Sequence, residues 1–262
     1  MDRLKSLKKL LLGSALKDDQ LKDEKLSRLW GLPIMASDAV SSVAYAVEEI
    51  LMALIPGVGI MAASYVGYVS VPIILLLLIL IFSYSQIISH YPNGGGAYVV
   101  SKENFGKKAS LLAATCLVID YIMTVAVSIS SSTAAILAVY PALEPYRIII
   151  SLICVGVITL VNLRGIGESS KIFGIPTYMF IFSMIALITT GFIRFFTGSL
   201  SPINYTPEQL SGIMTDNLTG LTLVLFLCAF SSGCSALTGV EAVSNAIPSF
   251  KEPSQKTAKH VL

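Results

Sequence analysis

The chain has 262 residues, of which 54% are hydrophobic and only 13% are charged, and its mean hydropathy is +0.76. A soluble domain averages about 25% charged residues, so this composition excludes an ordinary soluble protein and predicts a polytopic membrane protein. The formal net charge of +2 gives no indication of a nucleic-acid partner.

Residues 1–29 form a charged N-terminal segment with eight Lys or Arg and five acids. Leu4, Leu7, Leu10 and Leu11 repeat at helical spacing with lysines between them. The pattern predicts a cytoplasmic amphipathic helix on the inner membrane surface. A simple positively charged flank of the first span explains the segment about equally well.

Six apolar segments follow, and they form a predicted transmembrane domain over residues 30–247. Each approaches or exceeds the length of about 20 residues that a membrane helix needs. In chain order, segments one to six are residues 31–55, 64–89, 109–139, 147–163, 172–196 and 218–247. Residues 248–262 are then expected to be a cytoplasmic loop, cut short where the chain stops.

Lysine and arginine bias predicts the orientation of these segments. Sixteen of the eighteen lie in the N-terminal tail, in loops 90–108 and 164–171, or after residue 247. Arg147 and Arg194 alone fall on the opposite side. We therefore expect both termini in the cytoplasm of a multi-pass plasma-membrane protein.

Segment one carries Asp38 within the Ser-rich stretch 36–42. A carboxylate at mid-membrane costs on the order of 3 kcal/mol or more, so intramembrane acids usually have a function. Broken helices with polar residues at mid-depth form the ion and substrate sites of many secondary transporters. The pattern predicts an interrupted helix with an ion or proton role for Asp38; the alternative is a carboxylate satisfied by neighbouring helices alone.

Segment three carries a polar stripe formed by Asp120, Thr124, Ser128 and Ser131. At about 100° per residue these side chains fall within about 80° of arc, so one face of the helix is expected to contact water or polar groups. Hydroxyls in membrane helices often bond only a neighbouring backbone, and this reading is strongest for Ser131.

Segment six has small and hydroxylated residues at its centre, from Ser231 to Thr238, and then Glu241. Two glycines weaken the helix there and predict a second interruption. The ionisable groups in the middle of the segments are all acids. An acidic interior with many hydroxyls suits a cation, whose hydration shell oxygen ligands can replace, and Glu241 is a candidate to exchange a proton.

Loop 90–108 contains Gly94, Gly95 and Gly96 in a row. It has neither the Lys-Ser/Thr of a phosphate-binding loop nor a preceding strand. We interpret the glycines as a tight turn at the inner face, where the backbone approaches a neighbour closely. The four cysteines lie in apolar runs, only two histidines occur, and no nucleophile motif is present. We therefore expect no cofactor, no metal site other than one for a transported ion, and no enzymatic activity.

Three stretches of the chain are long and specific motifs, namely residues 37–45 (SDAVSSVAY), 94–104 (GGGAYVVSKEN) and 231–242 (SSGCSALTGVEA). With these motifs the chain resembles the KimA-type bacterial potassium importers. The importers are proton-coupled symporters of the amino acid-polyamine-organocation superfamily, related to the potassium uptake permeases. The resemblance implies an all-α LeuT-like fold, of which this chain holds the first five-helix repeat and helix six, with helices one and six broken.

The resemblance also implies which residues act on the transported potassium and protons. Potassium coordination is implied for Asp38, Tyr45, Thr124, Ser128 and Thr238, proton coupling for Glu241, and an ion path near Asp120 and Tyr121. Expected partners are the lipid bilayer, potassium and, in the full-length protein, a second copy. The chain stops before the helices that would complete the second repeat, so we expect an N-terminal fragment that transports nothing alone.

Two alternatives stay open. An amino-acid or amine permease of the same superfamily would use a similar fold, although Asp38 stands where such proteins have a glycine-rich break that holds a carboxylate. A non-transporting, truncated or regulatory membrane protein is the other reading.

Overall fold

The computed structural model describes residues 25–163, 165–200 and 220–262. Over these ranges the chain is almost entirely helical, and the β pairing found there is one isolated parallel bridge between Leu26 and Phe250. The predicted amphipathic helix at the N-terminus lies outside the described residues.

Ten α-helices are described, and we number them in chain order. They are α1 (Arg28–Met35), α2 (Ser37–Val58), α3 (Ala62–His90), α4 (Gly96–Phe105), α5 (Lys107–Val139), α6 (Arg147–Asn162), α7 (Ile166–Phe196), α8 (Leu223–Gly233), α9 (Val240–Asn245) and α10 (Ser254–Val261).

Five helical stretches in the described chain are long and apolar enough to cross a membrane, where the sequence predicts six segments. They are Ser37–His90, Lys107–Val139, Pro141–Asn162, Ser169–Phe196 and Leu223–Asn245. The first contains 54 residues and takes in both predicted segments one and two. The sequence predicts that segment one ends at residue 55, but α2 continues through Pro56 to Val58, and the 3₁₀ turn Gly59–Met61 leads directly into α3. The helix continues for two residues after Pro56 although this proline has no N–H to donate to the carbonyl four residues earlier.

Segment six departs from continuous α-helix among its hydroxylated residues, whereas the Ser-rich stretch of segment one is helical from Ser37 onward and only Ala36 before it is a turn. In segment one, α1 ends at Met35, Ala36 is a turn, and α2 begins at Ser37. In segment six, α8 ends at Gly233, the 3₁₀ turn Cys234–Leu237 follows, and α9 begins at Val240.

The chain divides into two compact units. Described residues of the first come from 25–42, 80–174 and 238–262, and those of the second from 43–79, 175–200 and 220–237. In the second unit the buried core joins α2, α3 and α8 through apolar side chains. These include Ile50, Leu54, Val58, Val69, Ile73 and Ala229.

The core of the first unit gathers residues from both ends of the described chain. Ile88, Val243, Ile247 and Phe250 are essentially inaccessible there and pack with Leu26, Ala258 and Val261. The backbone of Leu26 donates to Ser249 O at 2.8 Å and accepts from Lys251 N at 2.9 Å. This joins the chain before α1 to the chain after α9.

Two stretches expected to be loops contain helices. Residues 90–108 include α4, which follows the glycine turn, and residues 248–262 include α10. The Gln255 side chain of α10 donates to Ile88 O at 2.8 Å and to Ser89 O at 3.1 Å, at the C-terminal end of α3. These carbonyls lack partners inside α3, so a side-chain donor stabilises the helix end.

Candidate functional site

Asp38 lies in the first turn of α2 and is half-buried. The hydroxyl of Ser42, one turn further along, donates to Asp38 Oδ1 at 3.4 Å. Ser42 is fully buried, and its Oγ shares a hydrogen bond of 2.9 Å with Thr238 Oγ1. One hydroxyl thus contacts both Asp38 and Thr238, and the two predicted potassium ligands lie side by side in the first unit.

Gly239 explains how the two segments approach so closely. Its φ is +81°, in the left-handed region that favours glycine. A Cβ at this position would lie 2.7 Å from Asp38 Oδ2 and 2.8 Å from Ala39 N. The backbone between Thr238 and α9 therefore passes directly over the first turn of α2, which no larger residue would permit.

Helix α5 carries the polar stripe predicted from the sequence. Thr124 is buried, Asp120 and Ser128 are half-buried, and Tyr121 is 39% exposed. The Tyr121 hydroxyl accepts a hydrogen bond of 2.9 Å from Asn245 Nδ2. This bond connects the helix with the stripe to the helix that carries Glu241.

Glu241 lies in the first turn of α9 and is 6% exposed. Its Oε1 is buried and accepts no hydrogen bond from the described part of the chain. A buried polar group without a partner costs free energy, and an ionised carboxylate costs more than a neutral group. A proton or a bound cation at this oxygen would remove that cost.

Three carboxylates, Asp38, Asp120 and Glu241, lie in the first unit on stretches long and apolar enough to cross a membrane. The ion pairs found among the described residues join Lys25 to Glu252 and Arg147 to Glu144, and neither involves the three acids. Like charges without a cationic side chain favour a bound cation or partial protonation.

The predicted site residues thus fall into two sets. The first unit contains seven of them, namely Asp38, Asp120, Tyr121, Thr124, Ser128, Thr238 and Glu241. Tyr45 follows Asp38 by seven residues on α2 but belongs to the second unit, where it is 9% exposed.

Sequence reasoning missed two residues of this region. Ser42 stands four residues after Asp38, a spacing that places both on one helix face and could have identified it. Asn245 shows no comparable signal, since its partner Tyr121 is 124 residues away in sequence.

Two comparisons with known proteins bear on this site. Residues 29–262 match the profile of the family described as amino acid permease. The chain is also 46% identical over 257 residues to the potassium transporter KimA of Bacillus subtilis (strain 168). The alignment covers 98% of this chain and 41% of that relative, so the chain spans less than half of the relative's length.

Proposed function

This chain belongs to the amino acid permease family, and we propose that it forms part of a membrane transporter that takes up potassium ions. The similar Bacillus subtilis protein is named a potassium transporter, and 46% of the aligned residues are identical. The observation that carries the proposal is the hydrogen-bonded group of Asp38, Ser42 and Thr238, which places a carboxylate and two hydroxyls together on stretches long and apolar enough to cross a membrane.

The oxygen atoms of this region suit an alkali cation. Asp38 and Thr238 supply a carboxylate and a hydroxyl beside each other, and the Ser42 hydroxyl is hydrogen-bonded to both. Oxygen ligands of this kind replace the water around a potassium ion. In the proposed site Asp38 and Thr238 bind the ion directly, with Thr124 and Ser128 as further ligands and Asp120 and Tyr121 along the ion path.

Proton coupling is the second part of the proposal, and Glu241 is its candidate. The Glu241 carboxyl is buried and has an oxygen without a hydrogen-bond donor in the described chain. A proton on Glu241 and a potassium ion on the nearby ligands are linked thermodynamically, because the charge of each affects the binding of the other. Symport requires in addition that the site change its access readily when the proton and potassium are both bound, and not with potassium alone.

A cationic amine is the competing substrate, because the matched family is described by amino acid transport. An ammonium group could occupy the same acidic region. An amino acid would bring a carboxylate next to Asp38, and the repulsion disfavours it.

The proposed plasma-membrane location, cytoplasmic termini and homodimeric assembly accompany this function. The bias of sixteen to two in Lys and Arg supports the orientation. The homodimer is an expectation for the whole transporter.

A chimera tests the proposed function, because it supplies the rest of the relative's length. Residues 1–262 replace the matched part of the Bacillus subtilis protein, and the chimera is expressed in a bacterium that lacks its own potassium uptake systems. We expect growth at low potassium and potassium uptake that excess amino acids or polyamines do not inhibit. The unaltered relative is the control for expression and assay.

Two results would contradict the proposal. A chimera that reaches the membrane but takes up no potassium would exclude the transport function. Potassium-independent uptake of a labelled amine would favour the competing substrate.

A further inference from the structure

The glycine turn Gly94–Gly96, which leads into α4, contacts the C-terminal end of α9 directly. Gly94 has a φ of +76°, and a Cβ there would lie 2.7 Å from the backbone oxygen of Asn245. Gly96 has a φ of +41°, and its Cβ would press on Asn245 Oδ1 and lie 2.9 Å from Ser244 Oγ. The turn therefore encloses both the backbone and the side chain of Asn245, and it can do so only without side chains of its own.

The other end of the same amide reaches a different helix. Asn245 Nδ2 donates to the Tyr121 hydroxyl of α5 at 2.9 Å. Tyr121 is adjacent in sequence to Asp120, and Asn245 follows Glu241 by four residues, which is about one helical turn. Asn245 thus connects two helices that each carry one of the three carboxylates.

We propose that Asn245 is a positioning residue of the transport site, held by the turn Gly94–Gly96 and fixing Tyr121 against α9. Through this bond it sets the spacing between Asp120 on α5 and Glu241 on α9. The inference rests on the proposed function, because the spacing matters only if these carboxylates act on one transported cation.

In this role the Asn245 side chain acts on the carboxylates indirectly, through its hydrogen bond to Tyr121. The interaction between two charges depends on their separation, so a small displacement of α5 changes the affinity of the site for a cation. A merely structural asparagine would instead change how much folded protein reaches the membrane. The half-saturation concentration for potassium and the maximal uptake rate separate these two roles.

The test measures potassium uptake by the chimera of residues 1–262 and its variants Asn245→Ala, Tyr121→Phe and the double variant. A net hydrogen bond contributes enough to change an equilibrium by about fivefold. We expect each single variant to raise the half-saturation concentration about fivefold, at a maximal rate that is unchanged per molecule in the membrane. The double variant should be no worse than either single one, because both remove the same bond.

Asn104→Ala is the matched control. Asn104 also donates from its side-chain amide, at 2.8 Å, but to Val100 O within its own helix. We expect this variant to leave the half-saturation concentration unchanged. Tyr121→Phe removes a single oxygen atom, so it keeps the test decisive if Asn245→Ala fails to fold.

The possible failures are distinguishable. If the unaltered chimera takes up no potassium, the proposed function fails and the positioning role falls with it. If the chimera transports and the single variants keep its half-saturation concentration, the positioning role alone is wrong. Single effects that multiply in the double variant also overturn it, since independent effects would show that the bond is not their common cause.

Discussion

A single buried hydroxyl organises the candidate ion site at the scale of residues. Ser42 contacts Asp38 Oδ1 and Thr238 Oγ1 at once, at 3.4 and 2.9 Å. Without Ser42, both groups would keep their chemistry but lose a common partner that limits their rotamers. Preorganised oxygen ligands bind an ion without first spending free energy on their own ordering.

Glu241→Gln tests the proton-coupling role at this scale. Glutamine keeps the shape of the side chain and removes the titrating group, so uptake by the chimera should lose its dependence on external pH. We also expect a fall in rate on the order of tenfold or more, since interactions of charged groups contribute about 1.5–3 kcal/mol.

Glu48→Gln is the control for this prediction, because Glu48 is an exposed carboxylate on α2. We expect it to retain both the rate and the pH dependence of uptake. A Glu241→Gln chimera with the pH profile of the parent would refute the assignment of Glu241.

The residues that the sequence identified are those whose chemistry is anomalous for their surroundings. Asp38, Asp120 and Glu241 stand out because carboxylates are rare inside membrane segments. Asn245 does not stand out, because it lies near the end of its segment and its bond to Tyr121 depends on which helices are neighbours. The contact of Ser42 with Asp38 follows from their spacing of four residues, but its bond to Thr238 also depends on which helices are neighbours.

The short helix α9 and the turn before it control the geometry at the scale of elements. Gly239→Ala would force a side chain into a left-handed conformation at φ +81° and against Asp38 Oδ2. The conformation alone costs about 1–2 kcal/mol. We expect the free energy of unfolding to fall by more than this amount, and the chimera to lose potassium uptake.

Gly198→Ala separates the conformational cost from the contact. Gly198 also has a positive φ, of +66°, but a Cβ there would meet nothing within 4 Å. This variant should lower the unfolding temperature in detergent modestly and keep uptake. Equal effects of the two substitutions would show that the approach of Gly239 to Asp38 is unimportant.

Prediction of the elements succeeded where hydrophobic length decides the structure and failed at the junctions. The apolar run of α5 was predicted almost to its ends because 33 residues leave little choice. The predicted end of segment one at residue 55 was wrong, because Pro56-Gly57 is as compatible with the end of a helix that leads directly into the next helix as with a loop. Helices α4 and α10 were missed because their short polar sequences are stabilised by contacts with the rest of the first unit, such as that between Gln255 and the end of α3.

The orientation of the chain belongs to the scale of the whole molecule and can be tested by labelling. In a chimera without cysteines, single cysteines at positions 5 and 256 should resist a membrane-impermeant thiol reagent in intact cells. Leu200→Cys, in the predicted outer loop at a position that is 54% exposed, should react. Labelling of position 5 or 256 from outside would contradict the orientation predicted by the positive charges.

The whole-molecule account also predicts that transport needs more than this sequence. The chain spans 41% of its relative, and alternating access requires one repeat to move against another around the site. Residues 1–262 expressed alone should therefore not restore growth at low potassium, whereas the chimera should. Growth with residues 1–262 alone would show that this portion suffices, for example as a dimer.

The central claim is that Asp38 binds the transported potassium ion, and the most direct measurement is potassium uptake by the Asp38→Asn chimera. The substitution keeps the size of the side chain and removes its charge. We predict that the half-saturation concentration rises about tenfold or more, since a charged contact is worth about 1.5–3 kcal/mol, while Glu48→Gln leaves it unchanged. An Asp38→Asn chimera that reaches the membrane and takes up potassium with the affinity of the parent would contradict the account.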